Sequence, residues 1–295
     1  MKKRAIFLLA SILFATQLCG CATGAKADDW KKELLRIGPG LFSWSKKTLD
    51  RENAERMFDR MQSCGLSSLY QYFPSDVSDE DLDNFFELAL EYDISVYYLT
   101  GSPDWALDPD GKEMCDEVEQ AAVLNERLTG RGHLTGIFMD TEPYLLDEWE
   151  DAADKIMDTY ISAMECAHDK AGKKGLSYIA CVPFYYDDMG YEQELKELLA
   201  TGCDTLAIMN YSKRDEAGQI ETEITLAMEA DRPVIVIYEL QEPGSYGLKE
   251  VNTYYQDGLS AVAQSVENLK ERYGEDSFRY ALHEYKALQE MMERE

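Results

Sequence analysis

The sequence has little positive charge and little histidine. Its 29 Lys and Arg residues stand against 57 Asp and Glu residues, and the formal net charge at pH 7 is −28 with the three His residues neutral. Proteins bind nucleic acids through basic patches that displace counterions from phosphates, so this composition predicts no nucleic-acid partner. So few histidines, at scattered positions, also predict no dedicated zinc site. We expect no metal and no cofactor, with a calcium ion held by carboxylates as the alternative.

Apolar segments long enough to span a membrane are missing too. The apolar stretch near the N-terminus covers residues 5–15, about 11 residues, which is too short for a hydrocarbon core of ~30 Å. It follows Lys2, Lys3 and Arg4 and precedes small residues, an order typical of a secretory signal. We therefore predict that residues 1–20 are a signal peptide.

The end of that signal contains the run Leu18-Cys19-Gly20-Cys21. It resembles the bacterial lipobox, in which Leu stands three residues before the lipidated Cys and Gly directly precedes it. The resemblance implies a lipoprotein that is cleaved after residue 20, acylated on Cys21, exported, and held by this lipid at the extracytoplasmic face of a membrane. Residues 21–32 are small and polar, which is typical of a tether. Residues 33–295 remain for one folded domain.

The other cysteines form no recognisable framework. With Cys21 acylated, an odd number remains, and no two of them are spaced as in a CxxC metal or redox motif. We therefore predict no disulfide scaffold from the spacing of the remaining residues, which are Cys64, Cys115, Cys166, Cys181 and Cys203.

From residue 35 onward, short apolar runs alternate with amphipathic runs, which predicts an α/β protein with parallel strands and right-handed crossovers. Eight such units in about 255 residues match a single (β/α)₈ TIM barrel. An open doubly wound sheet would require a glycine-rich phosphate loop, and Gly38-Pro39-Gly40 is not one. The predicted strands are Leu35–Trp44, Ser68–Phe73, Ile94–Thr100, Leu134–Asp140, Leu176–Phe184, Thr205–Tyr211, Pro233–Leu240 and Phe278–Tyr285. The predicted helices are Glu52–Ser63, Glu80–Tyr92, Lys112–Leu128, Trp149–Ala171, Glu192–Ala200, Ile220–Ala230, Tyr254–Tyr273 and Lys286–Glu293.

The active sites of such barrels lie at the carboxyl ends of the strands. In this sequence those ends are rich in aromatic and acidic residues and poor in Lys and Arg. This composition favours sugars, whose CH faces stack on rings while their hydroxyls bond to polar groups. We therefore predict a glycan ligand, contacted by Trp44, Tyr72, Tyr98, Tyr185, Asn210, Tyr238, His283 and Tyr285.

The fourth strand ends in the most specific pattern of the chain, Asp140-Thr141-Glu142-Pro143. Residues i and i+2 of a strand share a side, so both carboxyl groups can face the barrel mouth. Two adjacent carboxyl groups push their pKa values apart, which leaves one protonated as an acid. Helix capping or a loop ion pair is the alternative structural interpretation of the same pattern.

The end of strand four resembles that of two groups of glycoside hydrolase barrels. In the chitinase-like family 18 the motif is DxxDxDxE. Asp140 and Glu142 match its last two acidic positions, and Thr135 and Phe138 replace the first two. The Met-x-Tyr that this family carries on strand six matches at residues 209–211, and its Tyr holds the substrate N-acetyl group, which serves as the nucleophile.

In the second group, a large clan with two catalytic glutamates, the acid follows strand four in Asn-Glu-Pro and the nucleophile ends strand seven. The Asn is replaced by Thr141, while Glu239 lies where the nucleophile is expected. Both resemblances imply Glu142 as the proton donor. The first adds Asp140 and Tyr211 as its catalytic partners, and the second adds Glu239. They differ in the group that attacks the sugar.

Two functions therefore remain in competition. The first is a membrane-anchored, extracytoplasmic glycosidase with Glu142 as general acid. The second is a non-catalytic carbohydrate-binding lipoprotein of the same fold, which needs the aromatic mouth but no raised pKa. A barrel hydrolase of cell-wall amide or ester bonds is a third possibility, for which the sequence offers no recognisable nucleophile.

Overall fold

A computed structural model describes residues 38–294, and eight parallel strands in this range form a closed barrel. Each strand pairs with the next along the chain, and the first pairs with the last. The predicted (β/α)₈ barrel is therefore confirmed. The strands are β1 (Gly40–Ser43), β2 (Ser68–Gln71), β3 (Ser95–Thr100), β4 (Leu134–Met139), β5 (Ser177–Pro183), β6 (Thr205–Met209), β7 (Val234–Glu239) and β8 (Arg279–His283).

An α-helix follows each strand and covers the outside of the barrel. The helices are α1 (Arg51–Ser63), α2 (Asp79–Glu91), α3 (Lys112–Arg127), α4 (Trp149–Lys173), α5 (Glu192–Glu197), α6 (Glu221–Glu229), α7 (Leu259–Tyr273) and α8 (Tyr285–Met292). Across residues 38–294 we find no helix with the length and apolar character needed to cross a membrane.

The order of the elements agrees with the prediction, and several boundaries do not. The last helix before β8 was expected from Tyr254, but α7 begins at Leu259, because Gly258 takes a positive φ of 86° that interrupts the helix. The last strand ends at His283, so Tyr285 is the first residue of α8. The predicted signal peptide (1–20), the acylated Cys21 and the tether (21–32) lie outside the described residues.

Alternation along the strands divides the apolar residues between two cores. Outward-facing residues pack against the helices in the larger core. Inward-facing residues fill the barrel itself, and their sizes differ from one side to the other. Strands β1–β4 each contribute an aromatic ring to the barrel interior. Strands β5–β8 contribute aliphatic or small side chains and no ring. The inward-facing set consists of Phe42, Tyr70, Tyr97, Leu99, Phe138, Ile179, Cys181, Ala207, Met209, Ile235, Ile237 and Ala281.

Phe138 lies at the centre of the bulky half of this interior. Its ring centroid is 4.8 Å from that of Phe42 and 4.5 Å from that of Tyr70. Offset and edge-to-face pairs at these distances are favourable packing arrangements for aromatic rings. Gly40 makes room for the Tyr70 ring, since a Cβ at that position would lie 2.6 Å from it. The barrel below the mouth is consequently filled and apolar.

The carboxyl ends of β3 and β4 approach each other closely just below the mouth. The Asp140 N–H donates to the Thr100 carbonyl oxygen at 2.8 Å. A Cβ at Gly101 would lie 1.9 Å from the Asp140 carbonyl oxygen, so only glycine fits where the backbone after β3 passes the backbone after β4. This contact fixes the backbone that carries Asp140.

We therefore expect Gly101→Ala to lower the free energy of unfolding by about 2 kcal/mol or more, because the added methyl group meets backbone that cannot move aside. Urea unfolding of the purified protein measures the change. The matched control is Gly172→Ala in α4, where a Cβ meets nothing within 4 Å, and which should raise the same free energy by up to about 1 kcal/mol. Similar stabilities for the two variants would contradict the close approach.

Candidate active site

Asp140 and Glu142 extend the inward-facing side of β4 beyond the end of the strand. Phe138 faces the barrel interior, and alternation places Asp140 and then Glu142 above it on the same side. Pro143 starts a short 3₁₀ turn, Pro143–Leu145, which ends the extended run directly after Glu142. Both carboxyl groups thus stand over the apolar barrel interior.

The two carboxyl groups have raised pKa values for the same main reason. Burial raises the pKa of Asp140, and a hydrogen bond with Cys181 and the charge of His283 oppose that shift only in part. Burial also raises the pKa of Glu142, to about 8, and the neighbouring Asp140 charge adds to the shift. One oxygen of Asp140, Oδ1, is buried without a hydrogen-bond partner. At neutral pH the Glu142 carboxyl is therefore protonated in the larger share of molecules.

The carboxylate of Glu239 is held at both of its oxygens. Oε1 accepts from the Gln241 backbone N–H at 2.7 Å, and Oε2 lies 3.0 Å from Nδ1 of His283. The side chain is 3% exposed. Its geometry is therefore set by the chain around it before any ligand arrives.

His283 connects Glu239 to Trp44. While the imidazole is neutral, Trp44 donates its indole N–H to His283 Nε2 at 3.3 Å, and Nδ1 is the nitrogen that donates to Glu239. Burial lowers the pKa of His283, but the hydrogen bond and charge of Glu239, together with Asp140, outweigh burial and raise it above its ordinary value. The imidazole of His283, at the end of β8, thus links Trp44, which follows β1, to Glu239 at the end of β7.

Tyr211 completes the group. Burial raises the pKa of its hydroxyl well above the ordinary value, and the charges of Glu239, Asp140 and Glu142 raise it further. Its ring centroid is 6.3 Å from that of His283. The structure therefore brings the four predicted catalytic residues into one electrostatic neighbourhood at the mouth.

A cleft of about 290 Å³ opens beside these residues. Its walls include Tyr144, Tyr185 and Tyr211, and the loop after β7 adds Tyr246, which is 93% exposed. Tyr144 also contacts the Glu142 carboxylate through its hydroxyl. The ring centroids of Tyr144 and Tyr185 are 5.7 Å apart in an edge-to-face arrangement. These rings give the cleft apolar faces with hydroxyl groups at their rims.

The structure places the eight predicted ligand-contacting residues in two groups. Trp44, Tyr185 and His283 lie at the mouth, and Tyr72 lies just past β2 with a side chain 37% exposed. The other four are held by different parts of the chain: Tyr98 donates to Glu117 in α3, Asn210 bonds to Glu216 and Gln219 in the loop after β6, Tyr238 contacts Ser265 in α7, and Tyr285 contacts Arg60 in α1.

Alternation explains this division. Tyr98 and Tyr238 each stand one position away from an inward-facing residue of the same strand, so their side chains face the helices. Asn210 directly follows the inward-facing Met209 at the end of β6, and its side chain turns to the loop after that strand. The parity that pairs Asp140 with Glu142 separates seven of the eight residues. Tyr285 has the parity of His283, but β8 ends at His283, and Tyr285 is the first residue of α8, where it contacts Arg60.

Sequence reasoning missed three residues of the site. Cys181 faces the interior from β5 and bonds to Asp140, Tyr144 contacts Glu142, and Gln241 holds Glu239. The parity of β5 could have identified Cys181. The contact of Gln241 is made by its backbone, for which the sequence carries no signal. Within residues 38–294 no group of three or more His, Cys, Asp or Glu side chains is placed to hold a metal ion.

Comparisons with known proteins place the fold. Similar solved structures include a chitinase from Chromobacterium violaceum, with a TM-score of 0.54, 14% identity, and coverage of 87% of this chain and 99% of that one. A family 18 chitinase from Pseudoalteromonas aurantia has a TM-score of 0.55 and 10% identity, with coverage of 87% of this chain and 99% of that one. A Toxoplasma gondii protein assigned as a deoxyribose-phosphate aldolase gives 0.55, 10% identity, and coverage of 89% and 93%. The likeness shows the barrel fold that chitinases share with other TIM-barrel enzymes.

No protein-family model and no curated protein matches the chain.

The raised pKa of Glu142 predicts a pH-dependent stability. Between the ordinary glutamate pKa of 4.5 and the folded value of about 8, the folded state keeps a proton that the unfolded state releases, so stability falls as the pH rises. Glu142→Gln removes this loss and should raise the free energy of unfolding by about 4 kcal/mol at pH 8 and by about 1 kcal/mol at pH 5. Urea unfolding at both values measures it.

The matched control is Glu242→Gln, which alters an exposed carboxyl group on the neighbouring loop. It should follow the wild type at both pH values. An equal change for Glu142→Gln at pH 5 and pH 8 would show that the Glu142 carboxyl ionises normally in the folded protein.

Proposed function

We propose that the protein is a glycoside hydrolase with Glu142 as its general acid. The observation that carries the proposal is the buried Asp140–Glu142 pair at the end of β4, in which the pKa of Glu142 is raised to about 8. A general acid has to hold its proton at the working pH and lie within reach of the leaving oxygen. Glu142 meets the first requirement, and its place at the mouth beside the tyrosine-lined cleft supports the second.

The surroundings of Glu239 favour one of the two mechanisms. Both of its oxygens accept hydrogen bonds, and its side chain is 3% exposed. Asp140, by contrast, has a buried oxygen without a partner. An N-acetyl group on the substrate would supply an amide N–H to this oxygen and a carbonyl oxygen that attacks the anomeric carbon. We therefore propose a substrate-assisted cleavage of a glycan that contains N-acetylated sugars.

In this mechanism each residue has a distinct task. Glu142 donates its proton to the glycosidic oxygen as the bond breaks. Asp140 orients the N-acetyl group through its amide, and the Tyr211 hydroxyl, kept protonated by its raised pKa, donates to the carbonyl oxygen that attacks. Glu239 acts at a distance by orienting His283 through the hydrogen bond to Nδ1. The attack of the carbonyl oxygen on the anomeric carbon closes a ring between the N-acetyl group and the sugar. Water then opens this cyclic intermediate, with Glu142 as general base.

We place this activity outside the cell, at a membrane surface. The support is the N-terminal sequence, where a signal peptide and a lipobox-like run end at Cys21. The acidic composition suits a neutral glycan better than an anionic one, since like charges repel at the surface.

A carbohydrate-binding protein without activity is the second candidate. The observation that favours it is the contact between the Tyr144 hydroxyl and the Glu142 carboxylate, which occupies one oxygen of the acid. A protein that binds glycan fragments without cleaving them would be identified by calorimetric binding together with no turnover over days.

Turnover tests the acid and separates the two mechanisms. On a panel of chitin, peptidoglycan and β-glucan fragments we expect cleavage only of the fragments with N-acetylated sugars. Glu142→Gln should lower kcat by about 10²- to 10⁴-fold, because Gln cannot donate the proton. Glu239→Gln should retain much more activity than Glu142→Gln, since Glu239 forms no bond with the sugar in this mechanism.

The exposed-residue variant Glu242→Gln serves as the control and should cleave like the wild type. Wild-type rates in Glu142→Gln would end the proposal for the acid. Equal losses of kcat in Glu142→Gln and Glu239→Gln, together with cleavage of β-glucan, would favour the mechanism with two catalytic glutamates over the substrate-assisted one.

The pH profile tests the coupling between the two carboxyl groups. Activity requires protonated Glu142, so kcat/KM should fall as the pH rises through about 8. Asp140→Asn removes the negative charge that helps to raise this pKa, and the alkaline limb should move to lower pH, by roughly one unit. The limb stays above pH 4.5, because burial is the larger cause of the shift. An unmoved limb in a folded Asp140→Asn variant would contradict the coupling.

A further inference from the structure

Two cysteines that are distant in the sequence meet on the outside of the barrel. Cys115 lies in the first turn of α3 and Cys166 lies in α4, 51 positions further along the chain, and their Sγ atoms are 3.4 Å apart. The spacing of the cysteines in the sequence gave no sign of this pair. It arises because α3 and α4 are neighbouring helices that run side by side.

Contacts on either side of the pair fix the two helices against each other. Gly111, just before α3, lies so close to α4 that a Cβ there would be 2.8 Å from the Ala163 carbonyl oxygen. One turn further along α4, Lys170 donates its Nζ to the Cys115 carbonyl oxygen at 2.8 Å. The packing of the helices therefore keeps Cys115 and Cys166 next to each other.

The two thiols differ in access. Cys166 is exposed and Cys115 is partly buried, whereas Cys181 and Cys203 are buried. Burial raises the pKa of Cys115 to about 12, and the adjacent Cys166 adds to the shift. A reagent from solvent therefore meets Cys166 first, and Cys115 acts second.

We propose that Cys115 and Cys166 are a disulfide-forming site that reacts with small-molecule disulfides such as oxidised glutathione. The Cys166 thiolate attacks one sulfur of the reagent, forms a mixed disulfide and releases one glutathione thiol. Cys115 then loses its proton to solvent, attacks the Cys166 sulfur and displaces the second glutathione. Two protein thiols are oxidised to one disulfide, and one reagent disulfide is reduced to two thiols.

The geometry suits the product. A disulfide bond is ~2.05 Å long, so the sulfur atoms have to approach by about 1.4 Å, which side-chain rotation can provide. The loop that the bond closes, residues 115–166, contains all of β4 together with Asp140 and Glu142. Closing it restricts the unfolded chain and thereby stabilises the folded one. This inference does not depend on the proposed function.

The test treats the purified protein with oxidised glutathione and follows it by peptide mapping under non-reducing conditions. We expect a peptide that links Cys115 to Cys166 and lacks two hydrogens, with no glutathione left on either residue. The thermal midpoint should rise by roughly 5–10 °C, and dithiothreitol should restore the original value.

Two single variants provide the controls, and circular dichroism checks that both fold. Cys115→Ser should keep one glutathione on Cys166, because the second thiol is missing. Cys166→Ser should gain neither an internal disulfide nor, in the same time, a glutathione on Cys115. A wild type that keeps glutathione on Cys166, or that does not react at Cys166, would overturn the proposal.

Discussion

The removal of water from the Asp140 and Glu142 carboxyl groups is the constraint on which the electrostatics of the barrel mouth depends. Beneath them the interior is closed by aromatic packing, with Phe138 in contact with Phe42 and Tyr70. At the position where the family 18 motif carries an acidic residue, this chain thus has a ring. A neighbouring negative charge can raise the pKa of a carboxyl group, and here burial is the larger cause. The apolar interior below Asp140 and Glu142 has a low dielectric constant, which disfavours the ionised form of both groups.

Hydrogen bonds shape the opposite side of the mouth. Glu239 accepts from the Gln241 backbone and from His283, and His283 accepts in turn from Trp44. A carboxyl group with both oxygens in hydrogen bonds is fixed in position and can orient its partners. The mouth therefore contains two kinds of acidic residue, one pair with pKa values raised by burial and one residue held in place by hydrogen bonds, although all three are found at strand ends in the sequence.

The order of strands and helices could be predicted because each strand is a short apolar run and each helix has one apolar face. The site could be predicted only in part. Position at a strand end was enough to place Asp140, Glu142, Glu239 and His283 at the mouth. The direction of a side chain depends on register, and Tyr98 and Tyr238 face the helices. Contacts made by backbone groups, such as that of Gln241, and contacts between distant helices, such as that of Cys115, leave no local trace in the sequence.

The parts of the mouth differ in what they depend on, and this affects how the protein can evolve. Asp140, Glu239 and His283 are placed by the closed barrel, where a change in one strand disturbs its neighbours. Tyr246 instead stands on a loop between Gly244 and Gly247, both with positive φ, and its ring is almost fully exposed. Substitutions or insertions in that loop can change the shape of the cleft while the carboxyl groups stay where they are. Mutation can therefore change the loop that shapes the cleft without moving the carboxyl groups that the barrel holds.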